Sequence, residues 1–366
     1  LNVWWRTVLV LALLLVVRKS WSWQGERDTT ITLLAFGDVN LGRSVGQELL
    51  RGRIEYPFEL VQKRLEGAEV VFVNLESPLS DQQGETQHPK DNLIFCGPPE
   101  GARSLKWAGV TIVSTANNHA FDYGLKGLEE TIDYLKEQGI AFAGTSKSKE
   151  KLFSPTIIER NGIRLAVLAY TQFVNQQGEW KGRISLYDEP RARKEIAAAR
   201  RQADFVIVSF HGGREYVDVP PQATLRQMRW FIDAGADIVL GHHPHVPQGI
   251  ERYKGKLIFY SLGNFVFYQP QHEWTQRSFG VRLGLARSFG KVQVRSVQIL
   301  PIRTGKQPEM MKEGEEEARL IVERIRALSN VPLVAENGGY FVKVEKDDES
   351  DFGSRYGDCP VCARGM

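Results

Sequence analysis

The stretch VLGHHPHVPQG (239–249) carries His242, His243 and His245, three of the seven histidines in the chain, immediately after the apolar run ADIVL. Imidazole is the side chain that both binds metals and moves protons near neutral pH. Residues of related chemistry follow other apolar runs: Asp38 after LLAFG, Asn74 and Glu76 in VVFVNLE, Asn117, Asn118 and His119 in TIVSTANNH, His211 after FVIVSF, and Asn264 after LIFYSLG. Taken singly, each has an ordinary structural role. Asp38 suits a turn or helix cap, Glu76 an exposed loop, the asparagines a turn, and a lone His211 a satisfied position in the core. Their recurrence at the ends of apolar runs points instead to one metal centre. Carboxylate, amide oxygen and imidazole together suit Mn, Zn or Fe better than Ca or Mg. A carboxylate such as Glu76 can bridge two ions about 3.5–4 Å apart, an arrangement that supports attack on a phosphoryl or acyl centre. On an extended segment the side chains alternate, so His243 and His245 are expected to face one way and His242 the other.

Such residues meet only if strands deliver them to one place. Short apolar runs rich in β-branched residues alternate with amphipathic stretches: ITLLAFGD, then YPFELVQKRLEGA; EVVFVNLES and LIFCG, then PPEGARSLKWAG; VTIVSTANNH, then LKGLEETIDYLKEQG. A hairpin is expected through Asn161-Gly162, followed by helix EPRARKEIAAARRQA, strand DFVIVSFHGG, helix QATLRQMRWFIDAG and strand ADIVLGHH. Alternating strands and helices predict α/β layers with a largely parallel sheet. Ligands then bind beyond the carboxyl ends of the strands. SFGVRLGLARSFGKVQVRSVQILPI reads as a late antiparallel hairpin that makes the sheets mixed.

Composition bounds the partners. Of 366 residues, 42% are apolar and 25% charged, with a net charge of +3 and both signs interspersed, so no nucleic-acid-binding face is expected. The pattern GxxxxGK[ST] is absent, which argues against nucleotide-driven activation of a substrate by this chain. Residues 1–24 contain an apolar run from Thr7 to Val17, flanked by Trp4 and Trp5 on one side, Trp21 and Trp23 on the other, with Arg6, Arg18 and Lys19 at its ends. That pattern favours an uncleaved membrane anchor over a cleaved signal peptide, and either places the remainder outside the cytoplasm. Residues 30–305 form the expected catalytic body, 306–345 a charged helix and short strand packed on it, and 346–366 a polar tail. In that tail Cys359 and Cys362 form CPVC, open to reading as a disulfide, half of a shared metal site, or a solvated terminus; Cys96 reads as a buried strand residue.

The motifs GDVNLGR (37–43), NLESPLS (74–80), NNHAFDYG (117–124), HGGREY (211–216), GHHPHV (241–246) and SLGNFVF (261–267) resemble, in order, those of the CapA family of poly-γ-glutamate capsule synthesis proteins. That family is a branch of the calcineurin-like metallophosphoesterases. The resemblance spans about residues 31–302. It implies a four-layer α/β/β/α sandwich with one or two divalent ions at one edge. By motif position Asp38, Glu76, Asn118, His211, His243 and His245 are the implied metal ligands, and His119 the general acid. Three positions depart from the wider superfamily: Asn40 replaces a ligand histidine, Glu76 replaces Asp, and Ala120 follows the Asn-His pair where an acid is usual, with Asp122 two residues on. Asn40, Arg43, Asn74, Asn117, Asp122, Glu215, Tyr216 and Asn264 are the candidates for holding substrate or supporting the ligands. Arg43 in particular offers a planar fork to an anionic group. The implied function is synthesis or export of an anionic polymer at a membrane, within a membrane synthase complex. The alternatives are a phosphoesterase of other specificity and a polymer-binding subunit without turnover.

Overall fold

The computed structural model describes residues 29–343. In chain order the first elements are β1 (Thr30–Val39), α1 (Arg43–Leu50), α2 (Gln62–Leu65), β2 (Val70–Leu75), α3 (Glu100–Trp107), β3 (Ile112–Ser114), α4 (Gly124–Glu137) and β4 (Ala141–Ala143). Then follow β5 (Thr156–Arg160), β6 (Ile163–Thr171), α5 (Glu189–Gln202), β7 (Phe205–His211), α6 (Gln222–Asp233), β8 (Ile238–His242), β9 (Ile250–Tyr253) and β10 (Lys256–Phe259). The last group is β11 (Asn264–Val266), β12 (Arg277–Ser288), β13 (Lys291–Arg303), β14 (Glu309–Met310), α7 (Glu316–Leu328), β15 (Leu333–Glu336) and β16 (Gly339–Val342).

These strands make two mixed sheets. One runs β15-β16-β13-β12-β1-β2-β3-β4, with β11 on β1 and β14 on β13; the other runs β5-β6-β7-β8-β10-β9. The strands that deliver the chemistry run parallel to one another within each sheet: β1, β2 and β3 in the first, β7 and β8 in the second. Their carboxyl ends therefore lie on one edge of each sheet.

Side-chain alternation decides the layering. Along β1, Ile31, Leu33 and Ala35 enter the core between the sheets, whereas Leu34 and Phe36 enter a second core with Val45 and Leu49 of α1, Ala102 and Leu105 of α3 and Leu135 of α4. Along β7, Phe205 and Ile207 face the inter-sheet core, while Val206, Val208 and Phe210 meet Ile196 of α5 and Met228 and Phe231 of α6. Both faces of both sheets are thus covered, which is why these strands read as almost continuous apolar runs. The result is the expected α/β/β/α sandwich. Helix α7 packs Ala318, Ile321, Val322 and Ile325 into the inter-sheet core, and β16 pairs with β13.

Three local expectations change. YPFELVQKRLEGA is α-helical only over Gln62–Leu65; the residues before it form successive turns, with Phe58 N–H donating to Glu55 O and Val61 N–H to Phe58 O. LIFCG contributes two isolated bridges, Gln87 to Phe95 and Leu79 to Gly97, rather than a strand, and Cys96 is buried and free. Strand β8 ends at His242, and φ is +97° at His243 and +60° at His245, so the HPH segment is not extended. The anchor read in residues 1–24 and the CPVC tail lie outside the described residues; within those residues no helix is long and apolar enough to cross a membrane.

Candidate metal centre

The two sheets meet where β1, β2 and β3 face β7 and β8. Two glycines let the segment that leads from β10 to β11 pass close to the ends of β1 and β8: a β-carbon at Gly37 would stand 1.7 Å from Gly263 O, and one at Gly241 would stand 2.1 Å from Tyr260 O. The residues following these glycines, Asp38 and His242, are fully buried, as are Asn74, Glu76 and His211.

Two groups of side chains are close enough to hold an ion: Asp38, Glu76 and His211, and Glu76, His243 and His245, each with ligand atoms within 4.8 Å of one another. Glu76 belongs to both. Its Oε1 lies 3.6 Å from His211 Nε2 and 3.8 Å from His245 Nε2, yet it has no hydrogen bond. A buried carboxylate oxygen without a hydrogen bond is costly unless a cation completes it. His243 Nδ1 is likewise buried without a hydrogen bond. Asn118 Oδ1 sits 2.7 Å from His211 Nε2, so an amide oxygen and an imidazole nitrogen converge on one point. The residues present therefore fit divalent ions. His243 and His245 do converge, with ring centroids 6.0 Å apart, but the two left-handed backbone positions bring them together rather than the alternation of a strand.

A second set of residues fixes the ligands. Asn74 Nδ2 donates to Asp38 Oδ1 at 2.8 Å and stands 3.3 Å from His211 Nδ1. Asn117 Nδ2 donates to Leu75 O at 2.7 Å, and its Oδ1 accepts from the His119 backbone N–H at 3.2 Å, locking the loop after β3 to the end of β2. Asn264 opens β11 rather than ending a strand, and its Oδ1 lies 3.0 Å from His245 Nδ1, leaving Nε2 for the centre. His242, expected to face away, keeps its Nδ1 3.3 Å from Asp38 Oδ1 while its ring packs 5.9 Å from Phe72 in the inter-sheet core. Glu215 and Tyr216 do not contact His211. Tyr216 instead lies at the rim, with its ring 6.1 Å from that of His245, and Asn74 takes the expected role at His211.

The electrostatics favour metal ligation. Burial, followed by the positive charge of His245, holds the His243 imidazole down at about 3, and burial likewise depresses His211 well below its usual value. Both present neutral nitrogens at pH 7. Burial pushes Asp38 up, but hydrogen bonds and charge from His242 and His245 outweigh it and hold the carboxyl well below its usual range. Burial and the neighbouring Asp38 push Glu76 well above its usual range, so Glu76 gives up a proton when a cation arrives.

His119 stands beside this cluster. Its Nδ1 pairs with Asp122 Oδ2 at 2.7 Å, and the same oxygen accepts from the Phe95 N–H at 2.8 Å. Asp122 thus supplies the carboxylate that Ala120 lacks, one helical turn further on, and leaves Nε2 of His119 to exchange a proton. Phe95 stacks on the His119 ring at 4.2 Å, and the Arg43 guanidinium lies 4.4 Å from the centroid of the Phe95 ring. Nothing in the sequence points to Phe95, which is far from His119 along the chain. His242, the first histidine of GHHPH, is visible in the sequence, but its approach to Asp38 is not.

The chain is also similar to known proteins. A family model described as "Bacterial capsule synthesis protein PGA_cap" matches residues 32–269. The capsule biosynthesis protein CapA of Bacillus anthracis is 32% identical over 291 residues, covering 74% of this chain and 69% of that protein. The PGA biosynthesis protein CapA of Bacillus subtilis (strain 168) is 27% identical over 365 residues, covering 93% and 92%. Among solved structures, the calcineurin-like phosphoesterase YfkN from Bacillus subtilis aligns with a TM-score of 0.42 at 15% identity, covering 82% of this chain and 97% of that one.

Proposed function

The chain belongs to the PGA_cap family of bacterial capsule synthesis proteins, and from that premise we propose that its centre is a metal-dependent hydrolase-like site acting on an anionic capsule polymer of the poly-γ-glutamate type. The observation that carries the reading is Glu76, a buried carboxylate shared by two ligand groups and lacking a hydrogen bond on the oxygen between them. Divalent Mn, Zn or Fe bound there would polarise the scissile group and activate water at neutral pH. Asp38, Glu76, Asn118, His211, His243 and His245 hold the ions. Asn74, His242 and Asn264 keep those side chains aimed. Asp122, paired with Nδ1, stabilises the His119 imidazolium, which gives its Nε2 proton to the departing group and is left as neutral imidazole. In this reading the amino-terminal segment tethers the domain to the outer face of the membrane, beside the polymer-making complex.

The test is turnover of γ-linked glutamate polymer and of a generic phosphodiester by the purified, manganese-loaded protein. Shortening of the polymer, lost about 10²–10⁴-fold in His119→Ala with metal retained, is the expected result. Cleavage of the phosphodiester alone would make the protein a phosphoesterase of other specificity. Polymer binding without turnover by the metal-loaded protein would make it a binding subunit.

A further inference from the structure

Beside the metal centre lies an open cleft of about 560 Å³, with Asn40, Arg43, Gln87, Asn92, Tyr268 and Gln271 on its walls. It adjoins the centre through Phe267, another wall residue, whose ring lies 5.0 Å from that of His245, and through Phe95, which stacks on His119. No acidic residue lines it, and Arg43 is its one cation.

Two features of this wall lack an internal explanation. Asn40 is only 4% exposed, and its Oδ1 accepts from the Gly42 N–H at 2.8 Å. A peptide N–H can only donate, so the atom facing Gly42 is the amide oxygen, and the amide nitrogen points elsewhere. That Nδ2 is buried without a hydrogen bond. Asn40 thus spends one lone pair of its oxygen on the Gly42 N–H and presents an unused donor. Arg43 sits at φ +52°, a backbone conformation that costs a residue with a β-carbon about 1–2 kcal/mol. The conformation is held by Arg43 N–H donating to Thr86 O at 2.7 Å and by the Thr86 hydroxyl donating to Arg43 O at 2.8 Å. The guanidinium is oriented by the Phe95 ring and by one bond to Asn92 O at 2.5 Å, and among the described residues no carboxylate lies within ion-pair distance of it. A strained, positioned cation without a counter-ion, next to an idle amide donor, is a receptor for an anion.

Building on the proposed action on an anionic polymer, we infer that this cleft selects its substrate by the substrate's own carboxylates. Arg43 and the Asn40 amide grip one carboxylate of a γ-linked polyamide beside the centre, and the amide side chains of Gln87, Asn92 and Gln271 line the path of the neighbouring amide links. Asn40, which stands in place of a ligand histidine, offers its donor to substrate.

The experiment titrates the full-length, manganese-loaded protein in detergent with two probes, a γ-linked glutamate hexamer and a γ-linked isoglutamine hexamer, in which each α-carboxylate is an amide. The probes share a backbone and differ in charge. The glutamate hexamer should bind at least tenfold tighter. Arg43→Gln should erase the difference, and Arg43→Lys should recover part of it, since an ammonium lacks the planar fork and stacks poorly. Asn40→Asp keeps the acceptor for Gly42 and removes the donor, so binding of the glutamate hexamer should fall at least tenfold while manganese content holds. Equal binding of the two hexamers by the unaltered protein, or an Arg43→Gln protein that still prefers the charged one, overturns the assignment. Manganese content in the same samples keeps the two ideas apart. Protein without stoichiometric manganese sinks the metal-centre reading, whereas full manganese with charge-blind binding sinks the cleft alone.

Discussion

Asp38 shows how the site is built around single atoms. One of its oxygens accepts from Asn74 and lies 3.3 Å from His242 Nδ1, and the other lies 3.3 Å from His245 Nδ1. His242 therefore acts on the metal through Asp38. His242→Ala should weaken metal affinity about 10–100-fold, and His242→Gln should restore part of the loss. Elemental analysis after dialysis against graded chelator measures this; full metal retention in His242→Ala would remove His242 from the centre. Glu76 makes a second prediction. Its carboxyl is raised, whereas His211 and His243 are depressed, so a proton displaced from this cluster by a cation comes from Glu76 and not from either imidazole. Affinity should then rise with pH for as long as Glu76 holds its proton, with about one proton released on binding. Calorimetry in buffers of different ionisation enthalpy reads that proton, and Glu76→Gln should abolish it. The ligand types were legible in the sequence because each follows an apolar strand. The residues that orient them were harder to read: Asn74 and Asn264 could be named but not assigned, and Phe95 meets His119 only through folding.

Among the elements, the two hairpins make the most direct comparison. The β5–β6 hairpin turns through Asn161 and Gly162, at φ +48° and +72°; the β12–β13 hairpin turns through Phe289 and Gly290, at φ +50° and +74°. Asparagine tolerates this conformation and phenylalanine does not, and Phe289, 96% exposed, gains no burial in return. Phe289→Asn should therefore stabilise the protein by up to about 1 kcal/mol, visible as a higher Tm; a lower Tm would mean that Phe289 contacts something in the intact chain. The Asn-Gly hairpin was readable because its residues match the turn. The HPH segment was misread because positive φ at histidine has no signature in sequence, and the convergence of His243 and His245 depends on it.

At the scale of the whole molecule, α7 closes the space between the sheets. Removing the chain from residue 313 onward would expose the pocket filled by Ala318, Ile321, Val322 and Ile325. At about 1.5–3 kcal/mol for each larger side chain, that is comparable to the entire stability of a typical domain, so cooperative unfolding should be lost. Removal from residue 347 onward should leave both folding and metal content intact; loss of a stoichiometric ion would show CPVC to be a real site. Circular dichroism melts and elemental analysis of the two truncations decide this. The α/β layering was legible because strands and helices alternate along the chain, and its four-layer form was implied by the family resemblance, whereas the contribution of α7 to the core was not legible, since a charged amphipathic helix looks the same on any surface. One consequence follows from β1. The strand leaves the amino-terminal segment at Thr30 and delivers Asp38 eight residues later, about 26 Å away at the usual rise per residue. Under the tether proposed above, it would be a rigid ruler between attachment and chemistry: a headgroup at the start of the strand would lie out of reach of the centre, whereas a polymer strand several residues long would cross the gap, so such a ruler would sort substrates by reach before any side chain reads their charge.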